Sequence, residues 1–298
     1  MVLFDIKNEK NKKCLGIICI ICSAFFFALM NMFVKMAGDL PAVQKSFFRN
    51  LIAFFFAYLI MRKNGIPFGC KKENRLSLLL RATFGTLVVL CNFYAVDHLV
   101  LADASVLNKM SPFFAIIFSY LILKEKITIR QGAVVVVAFL GSLLVIKPTF
   151  ANMDLIPSII GLCGGMFAGA AYTYVRKLTT HGEKGPMVVA FFSGFSCMVL
   201  LPFLIFDYHP MTFGQLMVLL MAGLSAAGGQ FTITAAYSYA PAREISVYDY
   251  SQIIFTAVLG FFIFGQVPDV LSWIGYAIIV GMAVVNYMGR KNKNNKRI

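Results

Sequence analysis

Residues 186–206 read PMVVAFFSGFSCMVLLPFLIF, an unbroken run without one charged side chain. At ~1.5 Å of rise per residue, a helix of that length crosses the ~30 Å hydrocarbon core of a bilayer. Nine more apolar runs stand at roughly 14–37, 42–61, 76–97, 102–123, 129–147, 157–177, 213–238, 243–265 and 270–289. Their lengths suit helices, not the ~10-residue alternating strands of an outer-membrane barrel. The whole chain agrees. Of 298 residues, 59% are hydrophobic and only 13% charged, against roughly 45–50% and about 25% in soluble domains. Such a chain is neither disordered nor equipped with the polar surface of a soluble enzyme. The expected fold is an all-α integral membrane protein of ten transmembrane helices.

The formal net charge is +14. In a soluble protein that excess would suggest nucleic acid. Here 21 of the 27 Lys and Arg fall in the two termini and in every second loop, while the alternate loops hold only Lys45 and Lys147. The bias sets both termini in the cytoplasm of a bacterial inner (plasma) membrane, with no nucleic-acid partner. Lys10 to Lys13 precede the first run as in a signal peptide, but the run is too long and nine follow, so it reads as a retained span. The tail after Arg290 is a short basic stretch suited to anionic headgroups.

A shift of 140 residues lays the third to fifth runs on the eighth to tenth. Ala82 meets Ala222, Ala95 meets Ala235, Ser111 meets Ser251 and Gly141 meets Gly281. A shift of 141 lays the first run on the sixth, Ala28 meeting Gly169 and Lys35 meeting Arg176, and one of 144 lays Phe47-Phe48 on Phe191-Phe192. The division is then a cytoplasmic segment 1–13, five-helix repeats at 14–148 and 157–289, and a basic tail 290–298. Five spans per repeat is odd, so the second repeat enters the membrane from the opposite side. Inverted repeats of this kind are the design of many secondary transporters, with the substrate site near the midplane between the halves.

The sequence resembles the EamA-type transporters of the drug/metabolite transporter (DMT) superfamily. The likeness rests on Arg81-Ala-Thr-Phe-Gly85, Phe93-Tyr94-Ala95, Ala102-Asp103-Ala104-Ser105, Ser111-Pro112, Leu123-Lys124-Glu125 and Arg49 within Phe48-Arg49-Asn50. It implies ten helices in two EamA repeats, a central cavity lined by the first, third, fourth, sixth, eighth and ninth helices, and transport of a small organic metabolite with export favoured. The second half departs from the pattern, with Gly265, Gln252 and Ser193 where the first has Glu125, Pro112 and Arg49.

Lys109 lies inside the fourth run. A charge at that depth costs ~2.5 kcal/mol or more unless it meets a cavity or a partner. Either Lys109 snorkels outward or pairs internally, or it is a cavity cation for a carboxylate or phosphate. Its repeat mate is Asp249, so one basic and one acidic residue take equivalent places and are expected on opposite walls of one cavity. Pro112 withdraws a hydrogen bond from the Asn108 carbonyl, predicting a kink beside Lys109. Asn31, Tyr172, Asn92, Asn108, Gln230, Thr232 and Thr234 add polar groups within runs. They serve as interhelical glue or as ligand contacts. Tyr94, in the resembling motif, and Tyr248, beside Asp249, complete the substrate-binding candidates. Gly161, Gly165 and Gly169 form a small-residue stripe for close packing, either a fixed or a sliding seam. Arg81 is expected to reach headgroups, Arg49 to pair with Asp39, and Glu125 to close a helix end.

No P-loop, His-Glu-x-x-His or nucleophile elbow occurs in the sequence. Cys19-x-x-Cys22 lacks a second Cys pair or a His beside it, and the seven cysteines read as small apolar residues. No metal, cofactor, disulfide or enzymatic activity is expected. The chain reads as a secondary, non-ATP transporter, monomeric or homodimeric. Its substrate is expected to be a small zwitterionic or amino-acid-like metabolite moved by alternating access. The alternatives are efflux of cationic or amphipathic compounds, and a non-transporting membrane scaffold or receptor.

Overall fold

The structure is a computed structural model and describes residues 9–98, 107–125, 128–146, 155–265 and 270–295. Ten main helices are present among them. They are α1 (Glu9–Met36), α2 (Ala42–Lys63), α3 (Arg75–His98), α4 (Ser111–Leu123) and α5 (Ile129–Ile146). The second set is α6 (Leu155–Thr180), α7 (Gly185–Phe206), α8 (Phe213–Tyr239), α9 (Ser251–Phe264) and α10 (Val270–Asn295). A single turn, Ala242–Ile245, and a 3₁₀ segment, Ser246–Tyr250, lead into α9. The Ala102–Ser105 motif, Lys126, Lys147 and the end of the basic tail lie outside the described residues.

Local chemistry sets the boundaries. The Thr212 hydroxyl accepts from the Gln215 amide at 3.2 Å while the Gln215 side chain accepts from the Thr212 amide at 2.9 Å, starting α8 with a capping box. Pro186 sits in the first turn of α7, where its missing N–H costs nothing. Gly38 and Gly182 turn the chain after α1 and α6 with φ of +69° and +89°, a conformation that favours glycine.

Five helical segments, Asn11–Met36, Lys72–His98, Gly185–Phe206, Phe213–Tyr239 and Ser246–Phe264, are long and apolar enough to cross a membrane. Ser111–Leu123, Gly132–Gly141 and Trp273–Met282 are shorter apolar helices. The outer surface carries bare apolar side chains, with Phe206 90% and Phe262 and Phe213 each 76% exposed. Exposed apolar surface on that scale calls for lipid rather than water.

Packing repeats between the halves. α1 lies on α8 and α9, and the corresponding α6 lies on α3 and α4. α2 lies on α8 as α7 lies on α3, while α2–α7 and α5–α10 map onto themselves. Each half therefore completes the core of the other. The small-residue stripe is part of this exchange. A Cβ on Gly161 would touch Leu107 and Ala95 at 3.1–3.3 Å, one on Gly169 would strike Phe114 and the Ala115 amide, and one on Gly165 would strike the Leu107 carbonyl. The glycines of α6 thus admit α3 and the backbone at the entry of α4. On the related face, Gly228 and Gly229 of α8 accommodate the rings of Phe26 and Phe27 of α1.

The fourth and ninth spans are not continuous helices. Leu107 and Asn108 are helical, Lys109 and Met110 form a turn, and α4 begins at Ser111 with Pro112 in its first turn. The expected kink is thus a break. Proline is accommodated because the first-turn N–H groups of a helix lack intrahelical partners anyway. The ninth span breaks at the equivalent place, in the 3₁₀ segment that contains Asp249.

Candidate functional site

The two breaks meet at the centre of the bundle. Lys109 Nζ lies 3.1 Å from Asp249 Oδ2, both side chains no more than 3% exposed. The expected pair of opposed charges is thus a direct ion pair. Asp249 Oδ1 is buried without a hydrogen-bond partner, as is Asn31 Oδ1. One carboxylate oxygen therefore holds the lysine and the other is an unmatched buried acceptor.

A cavity lies beside the pair. Of the substrate-binding candidates, Asn31, Asn92, Asn108, Lys109, Tyr172 and Gln230 line it, and Asp249 reaches it only through its pair with Lys109. Asn31 and Tyr172, related by the repeat, stand in its wall together. Tyr172 also stacks on Tyr237, ring centroids 5.0 Å apart. Tyr94 does not line it, because its ring stacks on His98 one turn further along α3, centroids 4.0 Å apart. Tyr248 is packed among apolar core residues and is also absent from the lining, since the 3₁₀ segment turns Asp249 rather than its neighbour toward Lys109. Thr232 bonds back to the Gly228 carbonyl at 2.7 Å within α8 and makes no lining contribution.

The sequence reading missed two arginines. Arg49 and Arg81 are each only 2% exposed and both line the cavity. The Arg81 guanidinium lies 4.3 Å and that of Arg49 5.7 Å from the Phe192 ring centroid on α7. Arg81 Nη2 donates to Gln230 Oε1 at 3.1 Å, and Arg49 Nη1 to Asn50 Oδ1 at 2.5 Å. Arg81 thus turns inward rather than to the headgroups, and Arg49 engages Asn50 and Phe192 instead of Asp39. α2 and α7, which are not among the cavity-lining helices that the family likeness implies, supply Arg49 and Phe192 to the cavity. The signal was available, since the cost of a charge within an apolar run applies to Arg49 and Arg81 as it does to Lys109.

At the end of the bundle where α1 begins, Arg176 donates to the carbonyls of Tyr237 and Ser238 at 3.2 and 3.0 Å and lies 3.7 Å from Glu125. That joins α6 to the ends of α8 and α4. Glu183 accepts from the Asn74 side chain at 2.6 Å and the Lys71 amide at 3.1 Å, and Lys13 pairs with Glu244 at 3.4 Å. The repeat-related positions at the opposite end, Lys35 and Gly265, are exposed. Lys45, read as a loop charge, is buried in the first turn of α2 and pairs with Asp97 at 2.8 Å. A charge pair at a span end is tolerated where a neighbouring helix end supplies the acid.

Known proteins share this architecture. The chain is 34% identical over 267 residues to the pseudopaline exporter CntI of Pseudomonas aeruginosa, an alignment covering 89% of this chain and 93% of that one. It is 28% identical to solute carrier family 35 member G1 of Homo sapiens, covering 93% and 80%. It is 26% identical to a riboflavin transporter of Vibrio cholerae, covering 95% and 96%. One solved structure superposes with a TM-score of 0.77 over 95% of this chain and 98% of its own at 13% identity, which speaks to the fold alone. The sequence profile of the EamA-like transporter family matches twice, at 14–147 and 156–288. With broken helices meeting at a shared cavity and a family profile that matches each half, the chain belongs to the EamA-like transporter family and is a multi-pass membrane transporter, not an enzyme.

Proposed function

We propose that this transporter moves a small, amino-acid-like organic metabolite across the bacterial inner membrane by alternating access, in the outward direction, with both termini in the cytoplasm. The observation that carries the proposal is the Lys109–Asp249 pair, buried at two repeat-related helix breaks beside a cavity built from both halves. Asn31, Asn92, Asn108, Tyr172 and Gln230 offer donors and acceptors around the cavity, and Asp249, behind its partner Lys109 in the cavity wall, supplies the acid for a substrate ammonium. Repeats 14–148 and 157–289 are the units that rock against one another. The Arg176 network is then the cytoplasmic closure. The likeness to the pseudopaline exporter supports outward movement. Counterflow in proteoliposomes, screened across amino acids and their derivatives, tests the reading. Saturable exchange of one such compound, abolished in Asp249→Asn, is expected. Exchange confined to cationic or uncharged amphipathic compounds would overturn it.

A further inference from the structure

We infer that Arg49 and Arg81 form a subsite for an oxyanion, a carboxylate or a phosphate, on the carried molecule. The inference rests on the transport reading and adds an anionic group of the substrate to it.

The charges in the cavity do not balance. Lys109 and Asp249 neutralise one another. Arg49 and Arg81 remain, both buried, and no carboxylate among the described residues comes within 4.0 Å of either guanidinium. An arginine stays charged in essentially any protein environment. Two uncompensated buried cations are costly unless an anion visits them.

The donors are also unspent. Each guanidinium offers five N–H groups in a planar fork. Arg49 gives one to Asn50 and Arg81 one to Gln230, and the Nε of each is buried with no acceptor. Asn50 Nδ2 is a further buried donor without a partner. Both guanidinium groups gather at the one Phe192 ring, 5.7 and 4.3 Å from its centroid, so one ligand can reach both. Planar forks with free edges are the geometry that carboxylate and phosphate recognition uses. Gly85 reinforces the arrangement, since any Cβ there would strike the Arg81 guanidinium and approach the Phe192 ring to 2.6 Å.

The subsite is one-sided. The repeat mates of Arg49 and Arg81 are Ser193 and Met221, so the second half carries no second pair. An anionic group held against α2 and α3, with an ammonium at Asp249, would give the substrate one orientation in a frame that is otherwise two-fold.

Thermal unfolding of the purified full chain in non-ionic detergent tests this, with citrate and inorganic phosphate as probes. Sodium chloride at equal ionic strength and choline are the controls. A ligand that binds only the folded state raises the midpoint with the logarithm of its concentration. Citrate or phosphate is expected to raise the wild-type midpoint saturably, the stronger of the two naming the oxyanion, while choline does nothing. Arg49→Gln and Arg81→Gln are expected to lose that response, and to unfold no earlier than wild type without ligand. A purely structural arginine would instead destabilise the chain when removed. If a glutamine variant does not fold, Arg49→Lys and Arg81→Lys keep the charge but lose the fork, and at least a tenfold weaker apparent affinity is expected. No anion response in wild type, or an undiminished one in the variants, overturns the subsite. Counterflow of a zwitterion by the same preparation would leave the transport reading standing in that event.

Discussion

Lys109 and Asp249, 140 residues apart, occupy the same place in the two halves and form one ion pair, 3.1 Å from nitrogen to oxygen. Each sits where its span stops being an α-helix. A broken helix releases backbone groups that a membrane tolerates only inside protein or along a cavity. The break and the charge therefore support each other: the break opens backbone beside the cavity, and the pair neutralises two charges that would be costly alone in mid-membrane.

Lys109→Ala and Asp249→Asn should each remove more than the pair is worth, because each strands the other charge or leaves its donors unmet. Breaking a buried pair typically costs about 3–5 kcal/mol. Transport should fall at least tenfold in each single variant. The double variant should unfold later than the less stable single and transport no worse than the poorer one. Small, additive losses in a double-mutant cycle of flux and unfolding midpoint would mean the two residues act independently.

Much of this arrangement was legible in the chain. The run lengths set ten helices, a 140-residue shift pairs Lys109 with Asp249, and a 141-residue shift pairs Asn31 with Tyr172. What the sequence did not show is where a long arginine side chain ends up. Arg81 stands close to the start of α3 and Arg49 close to the start of α2, and from one dimension both look able to reach an interface. Only the crossing of α2 and α3 with α7 turns them onto Phe192. Tyr94 shows the converse. Its place in a family-like motif suggested the cavity, but a local stack on His98, one turn away, takes the ring elsewhere.

The stripe on α6 yields a packing prediction. A Cβ on Gly165 would collide with the Leu107 carbonyl, two residues before Lys109. Backbone cannot swing aside as a side-chain tip can, so Gly165→Leu should force α6 away from the break. Overpacking of a core typically costs about 1–3 kcal/mol. A lower unfolding midpoint and reduced flux are expected together. Wild-type values for both would mean that α6 and the break have room to separate without consequence.

The orientation is open to direct labelling. In a background with the native cysteines replaced by serine, single cysteines at Lys71 and Lys184 should react with an impermeant thiol reagent only from the cytoplasm. Both flank the Glu183 contacts at the end where α1 begins. A cysteine at Asp269 should react only from outside. The excess of Lys and Arg in the loops at that end motivates the assignment. Labelling of all three from one face would break the odd-span argument for inverted repeats.

Gly85→Ala separates the position of the Arg81 guanidinium from its charge. Alanine is favoured over glycine in a helix by about 1 kcal/mol, so with free space the change would stabilise α3. There is no such space: the added methyl group would meet the Arg81 guanidinium and lie 2.6 Å from Phe192. The guanidinium is the end of a flexible side chain and will yield before the ring, which is 1% exposed and held in the core. Arg81 should then lose its place over Phe192 and its bond to Gln230, with the chain still folded and still charged. The expected signature is a KM raised at least tenfold for the transported compound, with an unfolding midpoint near that of wild type. Gly132→Ala on α5, where nothing lies within 4 Å of the new carbon, is the control and should leave KM unchanged. An unaltered KM in Gly85→Ala would show that transport does not depend on where the Arg81 fork points.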